Sequence, residues 1–375
     1  MRDDPIAVAG AGPAGLAAAI TLARAGRAVI VHEAQAEVGH RFGRGLQGLE
    51  NWSTREDALA VLQGLGIGTA FRMLPCRTGT VFDAWGQAYA LQSDAPLFYM
   101  VERGPRPGSL DTALLHQALE RGGEMRFNSR GQHLWGPAIF ATGPKAADAI
   151  AVGYHFNTDM PDGFWAICDD DLAPQGYAYL LVMGGSGTVK TCMFSGFKRE
   201  ALYVERTVAA FQRLVGLGMI APRPHGGVGN FRLPVSARSG THPVAGEQAG
   251  FQDTLWGFGM HAAIRSGVLA ARSLLDGGDY DARWRRELGG LITTSVVNRA
   301  AYSLLGNRGY RWAQRRRAAR DDARKLLHRY YRASAVKRLL APLARWRYRS
   351  RRADETCNHV DCTCVWCRHG RELHA

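Results

Sequence analysis

Residues 6–34 read IAVAGAGPAGLAAAITLARAGRAVIVHEA, and the meaning of this stretch decides the fold. IAVAG has the continuous apolar character of a strand buried on both faces. GAGPAG then sets glycines at Gly10, Gly12 and Gly15, and Leu16, Ala19, Ile20 and Ala23 follow at helical spacing. The order is strand, tight turn, helix. Gly10 permits the turn, Gly12 leaves the backbone bare toward a pyrophosphate, and Gly15 lets helix and strand approach. Pro13 and Ala14 open the helix, whose free N–H groups face the phosphates. A second strand, AVIVHEA, runs into Glu33 and Ala34, where a carboxylate can accept hydrogen bonds from a ribose diol and repel a 2′-phosphate. Competing readings fail on composition: Arg27 interrupts the apolar run, glycines and Pro13 crowd its start, and no cleavage pattern follows a basic segment. Neither a transmembrane helix nor a signal peptide is expected.

A chain of 375 residues can bury the core of two domains or of one elaborated domain. Four of its seven cysteines stand at 357, 362, 364 and 367, leaving too few elsewhere for a disulfide framework, so a reducing cytoplasm is the expected location. The net charge of +14 is concentrated: residues 308–352 hold seventeen Lys or Arg against Asp321 and Asp322, and the rest of the chain sums to −1. Basicity therefore describes one segment and what it touches.

NAD and FAD both suit the opening fingerprint; its place at the start of the chain favours FAD. The chain resembles the glutathione-reductase-type FAD-binding flavoproteins, and more narrowly the geranylgeranyl-reductase-like oxidoreductases. EVGHRFG (37–43), with Arg41, occupies the place of their Gly-Gly or Gly-x-Arg turn near the dinucleotide, with His40 replacing one glycine. AIFATGP (138–144), with Ala141, Thr142 and Gly143, looks like the strand ending in Ala-Thr-Gly. VAGEQAGFQDTLWGFGMHAAIRSGVLAARSLL (244–275) is similar to the second FAD segment. There the resemblance implies Gly246 and Glu247 near a ribityl hydroxyl, Gly257 and Gly259 beside the isoalloxazine, and a helix from Met260 aimed at flavin N1 and C2=O.

The resemblance implies an α/β fold: a Rossmann-type FAD-binding domain with a parallel sheet, an inserted antiparallel substrate sheet and a C-terminal helical extension. The expected division is FAD-binding parts at 1–51, 136–149 and 236–282, an insertion at 52–135, a substrate β-sheet domain at 150–235, basic helices at 283–352 and a Cys-rich tail at 353–375. Within 150–235, AIAVGYHF, GFWAICDD, GYAYLLVMG and GTVKTCMFSGF read as strands. No second GxGxxG follows a strand, so no dedicated NAD(P)H domain is expected, and the expected activity is reductase or dehydrogenase chemistry ahead of monooxygenation. GYAYLLV (176–182) stands where geranylgeranyl reductases have a Tyr-x-Trp segment lining the substrate tunnel; it reads equally as an aromatic strand filling a core.

The proton donor is less determined. His40, Glu50, Asn51, Asp253 and His261 are candidates; Asp253, His261 and Glu50 are preferred as catalytic residues, the first two because their loop and helix belong to the second FAD segment. Each also reads as a turn former or cap.

The basic segment reads as helices broken at Pro342, with arginines interleaved among Leu326, Leu327, Tyr330, Tyr331, Leu339, Leu340, Trp346 and Tyr348. Peripheral contact with the inner membrane face, an acidic electron-donor protein and a solvated face on the body all fit; nucleic acid fits less well, because no binding motif accompanies the charge. Cys357, Cys362, Cys364 and Cys367 could wrap zinc or an iron–sulfur cluster, act as redox thiols, or be incidental. Three classes of function stay open: a flavin reductase acting on a hydrophobic, isoprenoid or lipid-like molecule; a flavin monooxygenase; and a non-catalytic binding or assembly protein.

Overall fold

The computed structural model describes residues 4–131, 136–144, 147–231, 233–318 and 322–347. The chain begins with β1 (Ile6–Ala9), α1 (Pro13–Arg24) and β2 (Val29–His32), then β3 (Leu46–Glu50) and α2 (Ala58–Gly64). Strands β4 (Met73–Cys76), β5 (Thr78–Asp83), β6 (Ala88–Gln92) and β7 (Phe98–Glu102) follow, then α3 (Leu110–Glu120), β8 (Glu124–Arg126) and β9 (Ala138–Phe140). The middle carries β10 (Ala149–Asn157), β11 (Gly163–Cys168), β12 (Tyr177–Met183), β13 (Ser186–Met193), α4 (Glu200–Val215) and β14 (Ile220–Gly229). After the short pair β15 (Arg238–Ser239) and β16 (His242–Pro243) come α5 (Met260–Asp276), α6 (Tyr280–Glu287), α7 (Gly289–Tyr302), α8 (Gly306–Ala318), α9 (Ala323–Tyr330) and α10 (Ala335–Arg347).

A parallel sheet in the order β8-β2-β1-β9 forms the first layer, and Val244 bridges to Phe140 at its edge. The α1 helix lies on this sheet with Leu16, Ala17, Ala18, Ala19, Ile20 and Leu22 buried. The crossing of α1 and α5 is close because Gly267 faces Ala14 directly: a Cβ on Gly267 would stand 2.0 Å from the Ala14 carbonyl oxygen. At the turn, Gly10 has φ +98° and a Cβ there would stand 2.3 Å from the Ala141 carbonyl oxygen. Only glycine satisfies both that torsion and that distance.

The second layer is a seven-stranded sheet, β14-β10-β13-β12-β11-β5-β6, antiparallel except for the parallel pair of β11 and β5. Side chains alternate along β12. Ala178, Leu180 and Val182 enter a core shared with α4, whereas Tyr177, Tyr179 and Leu181 turn toward β3, β7 and the C-terminal helices. Gly184 and Gly185 close the β12–β13 hairpin. A three-stranded sheet, β3-β7-β4, completes the body.

Three expectations are corrected. Residues 52–135 are not one insertion: β8 pairs in parallel with β2, and α3 buries Leu110, Leu114 and Ala118 in the same core as α1, so both belong to the parallel layer. The region 150–235 is not all strand, since α4 presents Tyr203, Val204, Thr207, Ala210 and Phe211 on one buried face. The last helix also runs through Pro342 instead of breaking there. A proline in a helix interior costs about 3 kcal/mol, which is offset where Ala341 and Ala344 pack on Val296 and Val297 of α7.

The crossing predicts an asymmetric response to one added methyl group. Gly267→Ala should lower the unfolding free energy by roughly 2–3 kcal/mol, whereas Gly64→Ala, whose Cβ would meet nothing within 4 Å, should be neutral or mildly stabilising. Denaturant titration of both variants checks this; equal effects would remove the close-approach argument.

Candidate functional site

The two glycine turns converge on one cavity of about 1160 Å³. Gly10, Gly12, Pro13, Ala14, Glu33, Ala34 and Arg41 line it from the first segment. Ala141, Thr142 and Gly143 line it after β9, and Gly246, Glu247, Gly257, Gly259 and Met260 line it from the last segment. Gly15 does not line it: a Cβ there would stand 1.9 Å from the Gly10 carbonyl oxygen, so its bareness serves packing. Two helices start at the cavity wall, α1 after Gly12 and α5 after Gly259, and neither glycine supplies a side-chain cap. Their N-terminal N–H groups and positive dipole ends favour electron-rich groups.

These walls suit an adenine dinucleotide. A Cβ on Gly12 would meet nothing within 4 Å, leaving room for a bulky group against the bare chain. Glu33 is held in place, its carboxylate accepting from Ala11 N at 2.8 Å and from Gln35 N at 3.0 Å. Gln252 also lines the cavity; its Nε2 donates to the Gly257 carbonyl while its buried Oε1 has no hydrogen-bond partner among the described residues. Glu247 is more committed than the sequence implies: its carboxylate accepts from Asn230 N at 3.1 Å and from Arg41 Nη1 at 3.4 Å. Burial raises its pKa while Arg41 opposes the rise.

Another part of the cavity wall is aromatic. Phe98 and Phe164 meet edge to face at 4.8 Å, as do Trp52 and Phe258, and Tyr177 meets Trp256 at 5.4 Å. Tyr177 also donates to the Trp256 carbonyl. Tyr177 and Tyr179 thus line a cavity as well as packing in a core. The sequence alone does not reveal that α8 and α9 also wall the cavity, through Trp312, Ala313, Gln314, Ala323, Leu326, Leu327 and Tyr330.

Lysine 190 lines the same cavity. It is 4% exposed in β13, and burial, reinforced by Arg41, pulls its pKa down to about 7. His225 Nε2 lies 2.8 Å from the Arg41 carbonyl and can only donate to it, which leaves Nδ1 to accept from Lys190 Nζ at 2.6 Å. His155 stacks on His225 at 4.2 Å, and burial pushes its pKa far down. A charged side chain inside the apolar run GTVKTCMF was the available signal for this site, because lysine is rarely buried without a role.

The preferred catalytic candidates lie elsewhere. Asp253, His261 and Glu50 do not line the cavity. Asp253 caps its own turn, accepting from Leu255 N and Trp256 N at 3.0 Å, and takes a third hydrogen bond from the Tyr331 hydroxyl at 2.7 Å. His261 Nδ1 stands 3.1 Å from Ser53 Oγ and 3.6 Å from Glu50 Oε1. Burial lifts Glu50 to about 8 and lowers His261 to about 3, so both are neutral at pH 7 and their contact is not an ion pair. Asn51 is also structural, accepting from Ala58 N and donating to Asp57 and the Pro96 carbonyl. His40 lines the cavity and pairs with Glu37 at 3.3 Å.

Cys357, Cys362, Cys364 and Cys367 lie outside the described residues. Among the described residues no group of three or more His, Cys, Asp or Glu could hold a metal, and no helix is long and apolar enough to cross a membrane.

No protein-family model matches the chain. A digeranylgeranylglycerophospholipid reductase of Haloferax volcanii is 26% identical over 195 residues, 42% of this chain and 48% of that protein. The match thus spans about half the relative's length. A geranylgeranyl bacteriochlorophyll reductase-like protein of Thermoplasma acidophilum superposes with a TM-score of 0.71 at 16% identity, covering 92% of this chain and 96% of that one. A myxobacterial chondrochloren halogenase, described as a variant of FAD-dependent halogenases, gives a TM-score of 0.57 at 17% identity over 91% and 96% of the two chains. The fold is that of the FAD-binding Rossmann-type flavoproteins.

The neutral Glu50 predicts a pH signature. Between pH 4.5 and about 8 the unfolded chain ionises Glu50 while the fold keeps it protonated. The contribution of Glu50 to stability therefore falls with rising pH by up to about 1.4 kcal/mol per unit in that window, while His261, its pKa lowered by burial, contributes the opposite slope below pH 6.5. Glu50→Gln should flatten this slope and exceed the wild type in stability near pH 8. Thermal melts across the window test it; parallel curves would mean Glu50 is ionised in the fold.

Proposed function

Taking as premise a fold shared with FAD-dependent oxidoreductases and a stretch of sequence shared with a geranylgeranyl-type reductase, we propose a flavin-dependent reductase or dehydrogenase. It moves hydride between flavin N5 and a hydrophobic, isoprenoid or lipid-like substrate. The observation that carries this reading is one cavity with two chemically different kinds of lining. Bare backbone and two uncapped helix N-termini form part of its wall, and interlocked aromatic side chains form another part. FAD supplies the two-electron chemistry when bound.

The protein's part is to bind, orient and handle protons. Glu33 receives the adenosine ribose, the first helix N-terminus receives the pyrophosphate, and the loop from Gly257 to Gly259 with the second helix supports the ring. The aromatic part of the wall orients an apolar chain and excludes water. Lys190, its Nζ hydrogen-bonded to His225 Nδ1, holds the exchangeable proton at the cavity wall. A pKa of about 7 puts this proton in the range where transfer is efficient near neutrality. The second reading, oxygenation or halogenation, draws on the halogenase among the structural neighbours.

The purified chain should be yellow, or become so with FAD, and release FAD on denaturation. Photoreduced, oxygen-free protein should return to the oxidised spectrum on adding an unsaturated polyprenyl compound, with saturation of that compound. A colourless protein that takes up no FAD overturns the reading, and turnover only with oxygen selects the second.

Two variants separate the roles. Gly12→Val should abolish FAD uptake while leaving the circular dichroism spectrum unchanged, since its side chain would project into open space. Lys190→Gln should slow turnover by about 10²–10⁴ with flavin content intact. Wild-type activity should decline as pH rises through about 7, where Lys190 loses its proton; a flat rate profile in that range would clear Lys190 of the role.

A further inference from the structure

Helix α10 turns its larger apolar side chains outward. Val336, Leu339, Leu340, Leu343 and Trp346 are 66%, 81%, 43%, 64% and 65% exposed. Their spacing of i, i+3, i+4, i+7 and i+10 puts them on one stripe of the helix. The face turned to the body carries the small residues Ala341 and Ala344, buried against α7. A helix serving only the core would place these residues the other way round. Five large apolar side chains in one exposed stripe form a contact surface and not scattered exceptions.

The charge around the stripe specifies its partner. Arg347 is exposed on the stripe itself, Arg338 and Arg345 are exposed on another side of the helix, and α8, α9 and α10 contain no acidic residue. An apolar stripe that carries an arginine and a tryptophan near one end, in a segment without acids, matches the boundary between acyl chains and anionic headgroups. The first turn of α10 also meets a residue of the cavity wall. Lys337 Nζ donates to the Tyr330 carbonyl. Tyr330 and Trp312 both line the cavity and are each 55% exposed, so the cavity reaches the surface there. Arg316 stands over the Trp312 ring, 4.5 Å from its centroid.

We propose that α10 docks this protein on an anionic lipid bilayer, with Leu339, Leu343 and Trp346 at the acyl boundary and Arg347 on a lipid phosphate. The inference goes beyond the redox reading and stands without it, because it rests on the outer face of one helix.

Sedimentation of the full-length protein with phosphatidylcholine vesicles, with or without phosphatidylglycerol, tests this. The wild type should partition onto the anionic vesicles at least about tenfold more strongly than onto neutral ones, and less so at high salt. The double variant Leu339→Glu/Leu343→Glu should lose at least about tenfold in binding, with thermal unfolding and flavin content unchanged. Arg347→Gln should weaken the preference for anionic lipid. Absence of wild-type binding, or equal binding by the double-Glu variant, overturns the proposal. So does a dimer that the double-Glu variant splits into monomers without any vesicle binding, which would make the stripe a seam between two copies.

Discussion

Contact between the backbone of α1 at Ala14 and the bare Cα of Gly267 in α5 is the constraint on which the site depends. The two helices are far apart in the sequence, and each starts at a glycine turn. Their crossing brings both turns to a single cavity, and a single methyl group at the crossing would spread them. Gly246 tightens the same joint, since a Cβ there would stand 2.9 Å from the Ala14 Cβ. The site is therefore set by how closely two main chains approach, and the ligand-facing residues inherit their places from that approach.

Much of this was legible in the sequence because glycine spacing encodes backbone geometry directly. GAGPAG after an apolar strand, with Glu33 closing the next strand, has few structural solutions. Polar side chains are less legible, since the same letter serves a turn or a site. Asp253 is the clearest case: it sits in the right loop, yet its carboxylate is spent on two N–H groups of that loop and on Tyr331. Lys190 and His225 went unread because they stand on different strands, β13 and β14, and meet only across the intervening β10. No local spacing reports that pairing.

Electrostatics divides the buried polar groups into two kinds. Glu50 and His261 are neutralised by burial and sit behind the wall, where they fill space and satisfy a serine. Lys190 is buried equally well but faces the cavity, and its hydrogen bond to a histidine of defined tautomer keeps its proton directed. What separates these buried groups is what they face, since burial shifts both kinds strongly.

The basic segment, which the sequence presents as an appendage, is sewn into the body. Arg324 donates to carbonyls of Asn51, Thr54, Arg55 and Glu56, Arg311 pairs with Asp83 at 2.7 Å, and Tyr331 reaches Asp253. Because α8 and α9 supply part of the cavity wall, the chamber is not complete until they are in place. A nascent chain leaving the ribosome thus acquires β1, α1 and β2 early, α5 only after the seven-stranded sheet, and α8 and α9 later still. During that interval, greasy surface destined for the interior stays open to water, to chaperones and to whatever lipid lies nearby.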